Sequence, residues 1–250
     1  MQVVVDSLLT SYETMGDGRL IVLLHGWGDR AAGLRNLQLA LAKHTQVIAV
    51  DLPGFGGTQA PADVWGLDEY AAFVGHFLTK IAAGPVQVIV GHSNGGAIAI
   101  RGLHNGSLHA KKLVLMASAG IRGEKKGRLK ALQVVAKVGK AVTAPLPQAA
   151  KQTLRRNLYT AAGSDMLVAE HLQETFKRVV ADDVRTDAAQ LLLPALLLYG
   201  EQDTATPVWF GEAYHELLHD STLEILPGAG HFVHLDRPAE VAKAITEFAR

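Results

Sequence analysis

Short apolar runs rich in Val, Ile and Leu recur along the 250-residue chain at 2–5, 9–13, 20–24, 47–50, 86–90, 113–116, 195–199 and 222–226. Each reads as a β-strand. Stretches with helical spacing of apolar positions lie between them, at 32–43, 67–82, 95–105, 208–218 and 238–248. Strands that are apolar throughout, rather than alternating, are buried on both faces, and the strand–helix alternation calls for a mostly parallel sheet covered by helices on both sides. The expected class is therefore α/β, with a mostly parallel eight-stranded sheet. Asp236 is the expected cap of the last helix, with Pro238 in its first turn. The alternation breaks once, between about 120 and 190, where the composition is helical and no strand pattern stands out. This predicts a core domain formed by 1–119 and 191–250, with a helical lid inserted at 120–190.

The chemistry concentrates where strands end. Gly91-His92-Ser93-Asn94-Gly95 follows the 86–90 run and opens the small-residue helix at 95–105. Gly-x-Ser-x-Gly in that setting describes a tight strand-to-helix turn that holds a serine in a strained, exposed position, and the glycines avoid collisions. A serine hydroxyl is a poor nucleophile at neutral pH. It needs a base within hydrogen-bond reach, and the base needs an acid to orient it and support its imidazolium form.

Three further motifs stand in order along the chain. They are His25-Gly26-Trp27-Gly28 after the 20–24 run, Asp51-Leu52-Pro53-Gly54-Phe55-Gly56 after the 47–50 run, and Tyr199-Gly200-Glu201-Gln202-Asp203, with Pro207 behind it, followed by Gly230-His231. Together with the serine turn, they make the chain resemble the α/β-hydrolase family over nearly its whole length apart from the lid. The resemblance implies the α/β-hydrolase fold and the family order of serine, acid and histidine, here Ser93, Asp203 and His231. Asp203 and His231 both follow strand-like runs, at the carboxyl edge where open α/β sheets place their sites. The oxyanion of an acyl-transfer intermediate would be met by the backbone N–H groups of Trp27 and Asn94. Trp27, and Phe232 next to His231, are the expected substrate contacts.

Eleven histidines compete for the base role. His25 and His92 lie in motif loops and are read as holding them by hydrogen bonds. His234 is the rival, three positions after His231; the pair also admits a metal reading, but no carboxylate or third histidine nearby completes a ligand set, so no metal is expected. Asp51 ends a strand too, and is read as holding the Pro53-Gly54 turn. A dehalogenase or epoxide hydrolase of this family would need Asp where Ser93 stands. Hydrolases of ring-cleavage products, which break a carbon–carbon bond, share the serine triad and lid but commonly carry Trp where Phe232 stands. The main expectation is hydrolysis of a carboxylic ester with a small to medium apolar acyl group, through an acyl-enzyme and without a cofactor. Amidases and perhydrolases would use the same residues, and a non-catalytic small-molecule receptor on the same fold is the alternative from another class.

Composition narrows the partners. Net charge is zero, which gives no global case for nucleic acid, and Gly54-Phe55-Gly56-Gly57 is not followed by the Gly-Lys-Ser/Thr of a nucleotide loop. The chain contains no Cys, so disulfides and thiol catalysis are excluded. The opening residues lack a basic, apolar leader, and the longest apolar run, 191–198, is too short to span a bilayer, so a cytoplasmic protein without an integral membrane segment is expected. Within 120–160, ten Lys and Arg side chains stand against Glu124 alone, while Leu132, Val135, Val138 and Val142 fall on one helical stripe. One reading lays the stripe over the pocket with the lysines in solvent. The other adds weak contact of the basic lid with anionic surfaces. The 144–147 segment, with two prolines, is a candidate hinge between lid helices.

Overall fold

The computed structural model describes residues 1–122 and 170–250. Eight strands form one sheet: β1 (Gln2–Val5), β2 (Leu8–Met15), β3 (Leu20–Leu24), β4 (Gln46–Val50), β5 (Val86–His92), β6 (Lys112–Met116), β7 (Ala195–Gly200) and β8 (Ser221–Leu226). Their spatial order is β1-β2-β4-β3-β5-β6-β7-β8. The β1/β2 and β2/β4 pairs are antiparallel, and every other pair is parallel. The helices are α1 (Arg35–Leu41), α2 (Leu67–Lys80), α3 (Asn94–Asn105), α4 (Gln173–Ala181), α5 (Arg185–Ala188), α6 (Val208–Leu217), α7 (Val233–Asp236) and α8 (Pro238–Phe248).

Side chains of a strand alternate between faces, so a fully apolar strand feeds two cores at once. Leu20, Val22 and Leu24 of β3 enter one core, with Tyr70, Phe73 and Phe77 of α2, Ile98 and Ile100 of α3, and Tyr214 of α6. Ile21 and Leu23 enter the other, with Leu37 and Leu41 of α1 and Val241 and Ile245 of α8. β6 divides in the same way, Leu113 and Leu115 to the first and Val114 and Met116 to the second.

The expected strands all occur, each within two residues of its predicted bounds. The helices at 208–218 and 238–248 do as well, and 32–43 begins as a short 3₁₀ turn, Ala31–Leu34, before α1. Asp236 does not cap α8. Arg237 holds the cap position, and the Asp236 carboxylate accepts a hydrogen bond from Gly230 N–H at 2.8 Å instead, which ties down the loop before His231. The region expected as a lid falls mostly outside the described residues, including the Leu132–Val142 stripe, the basic face beyond Arg122 and the 144–147 hinge. Its described part, 170–190, contains α4 and α5. Its two ends meet: Val184 N–H donates to Gly120 O at 2.8 Å, and Arg122 N–H donates to an Asp183 carboxylate oxygen at 3.1 Å.

Candidate active site

Ser93 sits between β5 and α3 with φ 51° and ψ −118°, a conformation that costs a non-glycine residue about 1–3 kcal/mol. The turn is closed by backbone bonds, with Ser93 N–H donating to Met116 O and Ser93 O accepting from Gly96 and Ala119, each at 3.0 Å. A side chain at Gly91 would bring Cβ within 2.5 Å of Gly95 O and the Gly96 backbone. At Gly95 it would strike Leu24 O, with His25 O at 2.7 Å. The glycines on either side of Ser93 are thus required by close backbone approach. A Cβ at Gly26 would lie 3.1 Å from Ser93 Cβ, which places the loop carrying Trp27 directly against the serine. Asn94 opens α3, and the N–H groups of a first helical turn have no partner inside the helix.

Asp203 follows β7 and is buried. One carboxylate oxygen accepts from Ala205 N–H at 2.8 Å and Thr206 N–H at 3.0 Å; the other accepts from His231 Nδ1 at 2.8 Å and from Thr206 Oγ1 at 2.7 Å. Burial opposes the charged carboxylate, but the His231 bond and charge, with the Thr206 donors, outweigh it and hold its pKa below 3.8. Nδ1 of His231 is committed to Asp203, which leaves Nε2 as the nitrogen for proton exchange. Ser93 and His231 line the same cavity.

The remaining histidines separate cleanly. His25 is buried, donates from Nδ1 to Gly26 O at 2.7 Å and accepts from Leu52 N–H at Nε2 at 2.9 Å, joining the loops after β3 and β4. His92 Nε2–H donates to His231 O at 3.0 Å, and the two rings lie 4.9 Å apart. Burial, then the neighbouring His231 and His234, keep His92 neutral well below pH 6.5. His234 is buried edge-on to His92 at 5.0 Å, with no hydrogen bond at either ring nitrogen, and it is His231 that meets Asp203. Asp51 accepts from Ala31 N–H at 2.7 Å and Gly57 N–H at 2.8 Å, so it fastens the far end of its turn rather than Pro53-Gly54 itself.

The cavity over Ser93 has a volume of about 270 Å³. Its described wall is mainly apolar, with Trp27, Ala97, Ile121, Phe176, Val179 and Phe210. Trp27 packs edge-on to Phe55 at 4.9 Å and against Phe176 of α4 at 5.1 Å. Phe232, expected with Trp27 as a substrate contact, is not among the described residues of this wall. It is 45% exposed and packs against His92 at 5.3 Å, behind His231. Asp182 does border the cavity. Its Oδ1 meets Arg101 Nη2 at 3.0 Å, and Arg101 also holds Asp68 at 2.7 Å and Asp187 at 2.6 Å. Sequence reasoning missed Thr206 and the α4 wall. An Asp followed three positions later by Thr is a side-chain turn signal that points to the first; α4 carries no chemical motif.

The model of the alpha/beta hydrolase family matches residues 21–244. The chain belongs to this family. Among relatives of this family member, a pimeloyl-[acyl-carrier protein] methyl ester esterase of Chromobacterium violaceum is 30% identical over 94% of this chain and 96% of its own. A 2-hydroxy-6-oxo-6-(2'-aminophenyl)hexa-2,4-dienoic acid hydrolase of Metapseudomonas resinovorans is 27% identical over 96% of this chain and 87% of its own. The solved structure of an esterase from Exiguobacterium antarcticum superposes with a TM-score of 0.77 at 22% identity, covering 99% of this chain and 98% of that one, a likeness of fold. This alpha/beta hydrolase thus has both a methyl ester esterase and a dienoic acid hydrolase among its relatives. Among the described residues, no helix is long and apolar enough to cross a membrane.

Proposed function

We propose that the protein is a serine hydrolase of carboxylic esters with small to medium apolar acyl groups. The observation that carries this reading is the 2.8 Å bond of His231 to Asp203 at the edge of the cavity that also receives the strained Ser93. In this reading Ser93 attacks the ester carbonyl while His231 Nε2 takes its proton, and Asp203 supports the imidazolium. The N–H groups of Trp27 and Asn94 receive the oxyanion. His231 then delivers the proton to the departing alkoxide, and water repeats the sequence on the acyl-enzyme. Of the segment expected as a lid, α4 supplies one wall of the cavity through Phe176, Val179 and Val180.

The esterase relative and the apolar cavity support an ester over the carbon–carbon substrates of ring cleavage. So does Asp182. The M. resinovorans relative is named for a dienoic acid, whose carboxylate would face a like charge on this wall. Hydrolysis of p-nitrophenyl esters from acetate to laurate, run beside Ser93→Ala, tests the proposal. Turnover and fluorophosphonate labelling that vanish in the variant are expected, with an optimum at short to medium chains. Folded protein that cleaves none of these esters but cleaves a dienoic ring-cleavage product would replace the ester reading with the carbon–carbon one.

A further inference from the structure

Thr206 makes more polar contacts around the acid than its place in the chain suggests. It is 4% exposed, and its Oγ1 lies 2.7 Å from Asp203 Oδ2, 2.9 Å from Ala117 O and 3.2 Å from His231 Nδ1. A hydroxyl has one hydrogen to give. If it went to Ala117, lone pairs of Oγ1 and of a carboxylate oxygen would oppose each other at 2.7 Å, so the hydrogen points to Asp203. Ala117 itself is held at φ 45°, outside the comfortable range of an L-residue, at the end of β6 where its carbonyl reaches Thr206.

We propose that Thr206 is a positioning residue that limits how strongly Asp203 supports the protonated form of His231. The inference rests on the serine-hydrolase reading above. Asp203 Oδ2 serves two donors, His231 and Thr206. Charge drawn toward the hydroxyl is charge not offered to the imidazolium, so removing the hydroxyl strengthens Asp203's hold on the proton and shifts the acid limb of the rate profile to higher pH. Among the described residues, the other groups around His231 are His92 from β5 and Phe232 on its own loop, with His234 of α7 behind His92 and Asp182 bordering the same cavity.

The test is the pH dependence of kcat/KM on a short p-nitrophenyl ester for wild type, Thr206→Val and Thr206→Ser. The ratio of kcat/KM at pH 6 to that at pH 8 is expected to fall roughly threefold in Thr206→Val and to stay at the wild-type value in Thr206→Ser. Thr206→Ala, which removes the same hydroxyl without a branched replacement, carries the same expectation if the valine variant does not fold. A uniform loss of rate at every pH, or an unshifted limb, overturns the proposal. So does the same displacement in Thr206→Ser. Wild-type protein without Ser93-dependent turnover would instead remove the serine-hydrolase reading, a separate outcome visible before any Thr206 variant is measured.

Discussion

Ser93 occupies a conformation that an isolated peptide avoids, and the backbone around it leaves no room to relax. Gly91→Ala is expected to lower stability by about 2–4 kcal/mol, because Cβ would press on rigid main chain rather than a movable side chain. Urea denaturation of the purified variant checks this; wild-type stability would mean the turn is softer than its contacts suggest. Asp203→Asn leaves the packing nearly intact but alters the tautomer presented by His231, and kcat is expected to fall by about 10⁴-fold with KM little changed. Single-residue legibility was uneven. The grouping of Ser93, Asp203 and His231 could be expected from sequence because serine-hydrolase chemistry demands particular residue types at strand ends, and the structure brings His231 to Asp203 at 2.8 Å beside the cavity that Ser93 lines. Phe232 was less legible, because its position beside His231 in sequence says nothing about which side of the ring it covers.

At the scale of elements, α3 and α4 both line the cavity. α4 is fastened to the start of α2: Arg178 meets Glu69 at 2.8 Å and donates to Val64 O at 2.8 Å, and Trp65 N–H donates to Thr175 at 3.2 Å. Arg101 of α3 binds Asp68 of α2, Asp182 at the end of α4 and Asp187 of α5, with its side chain 14% exposed. Replacing it by Met leaves the partly buried Asp182 and Asp187 without their cation, while Asp68 stays solvated, and a loss of about 2–3 kcal/mol is expected in denaturant unfolding. Asp182→Asn tests the wall charge, with the Arg101 contact reduced to a neutral hydrogen bond. The variant should gain activity on a p-nitrophenyl ester whose acyl chain ends in a carboxylate, relative to the neutral ester of equal length, by roughly three- to tenfold. An unchanged ratio would place the substrate away from Asp182. These cross-element ties were not legible in sequence, since partners such as Arg101 and Asp182 are 81 positions apart.

For the whole molecule, the buried histidines make stability depend on pH. Burial is the leading cause that lowers the pKa of His25, His92 and His234 below 6.5. Below pH 6.5 the unfolded chain binds protons that the folded chain refuses, so stability falls as pH drops from there toward the native values, by up to about 1.4 kcal/mol per pH unit for each group. Above pH 6.5 these groups contribute no slope. Asp203 acts lower: its stabilisation is present above pH 3.8 and is lost as pH falls through its depressed native value. Melting curves from pH 5 to 8 should show the histidine decline, and His234→Phe should flatten it by about one group's share. The same slope in the variant would mean that His234 ionises freely in the folded protein. Sequence by itself determined the two-sided sheet, because only strands buried on both faces are apolar at every position, and it determined the tight turn at Ser93, because only glycine tolerates such close backbone. It also set Asp203 and His231 in order after Ser93, each behind a strand. Only tertiary structure decided that His231 rather than His234 meets Asp203, that Thr206 shares the same carboxylate oxygen, and that Asp182 borders the cavity. Those outcomes depend on where separate strand ends and helices meet in space, and local pattern carries no record of that meeting.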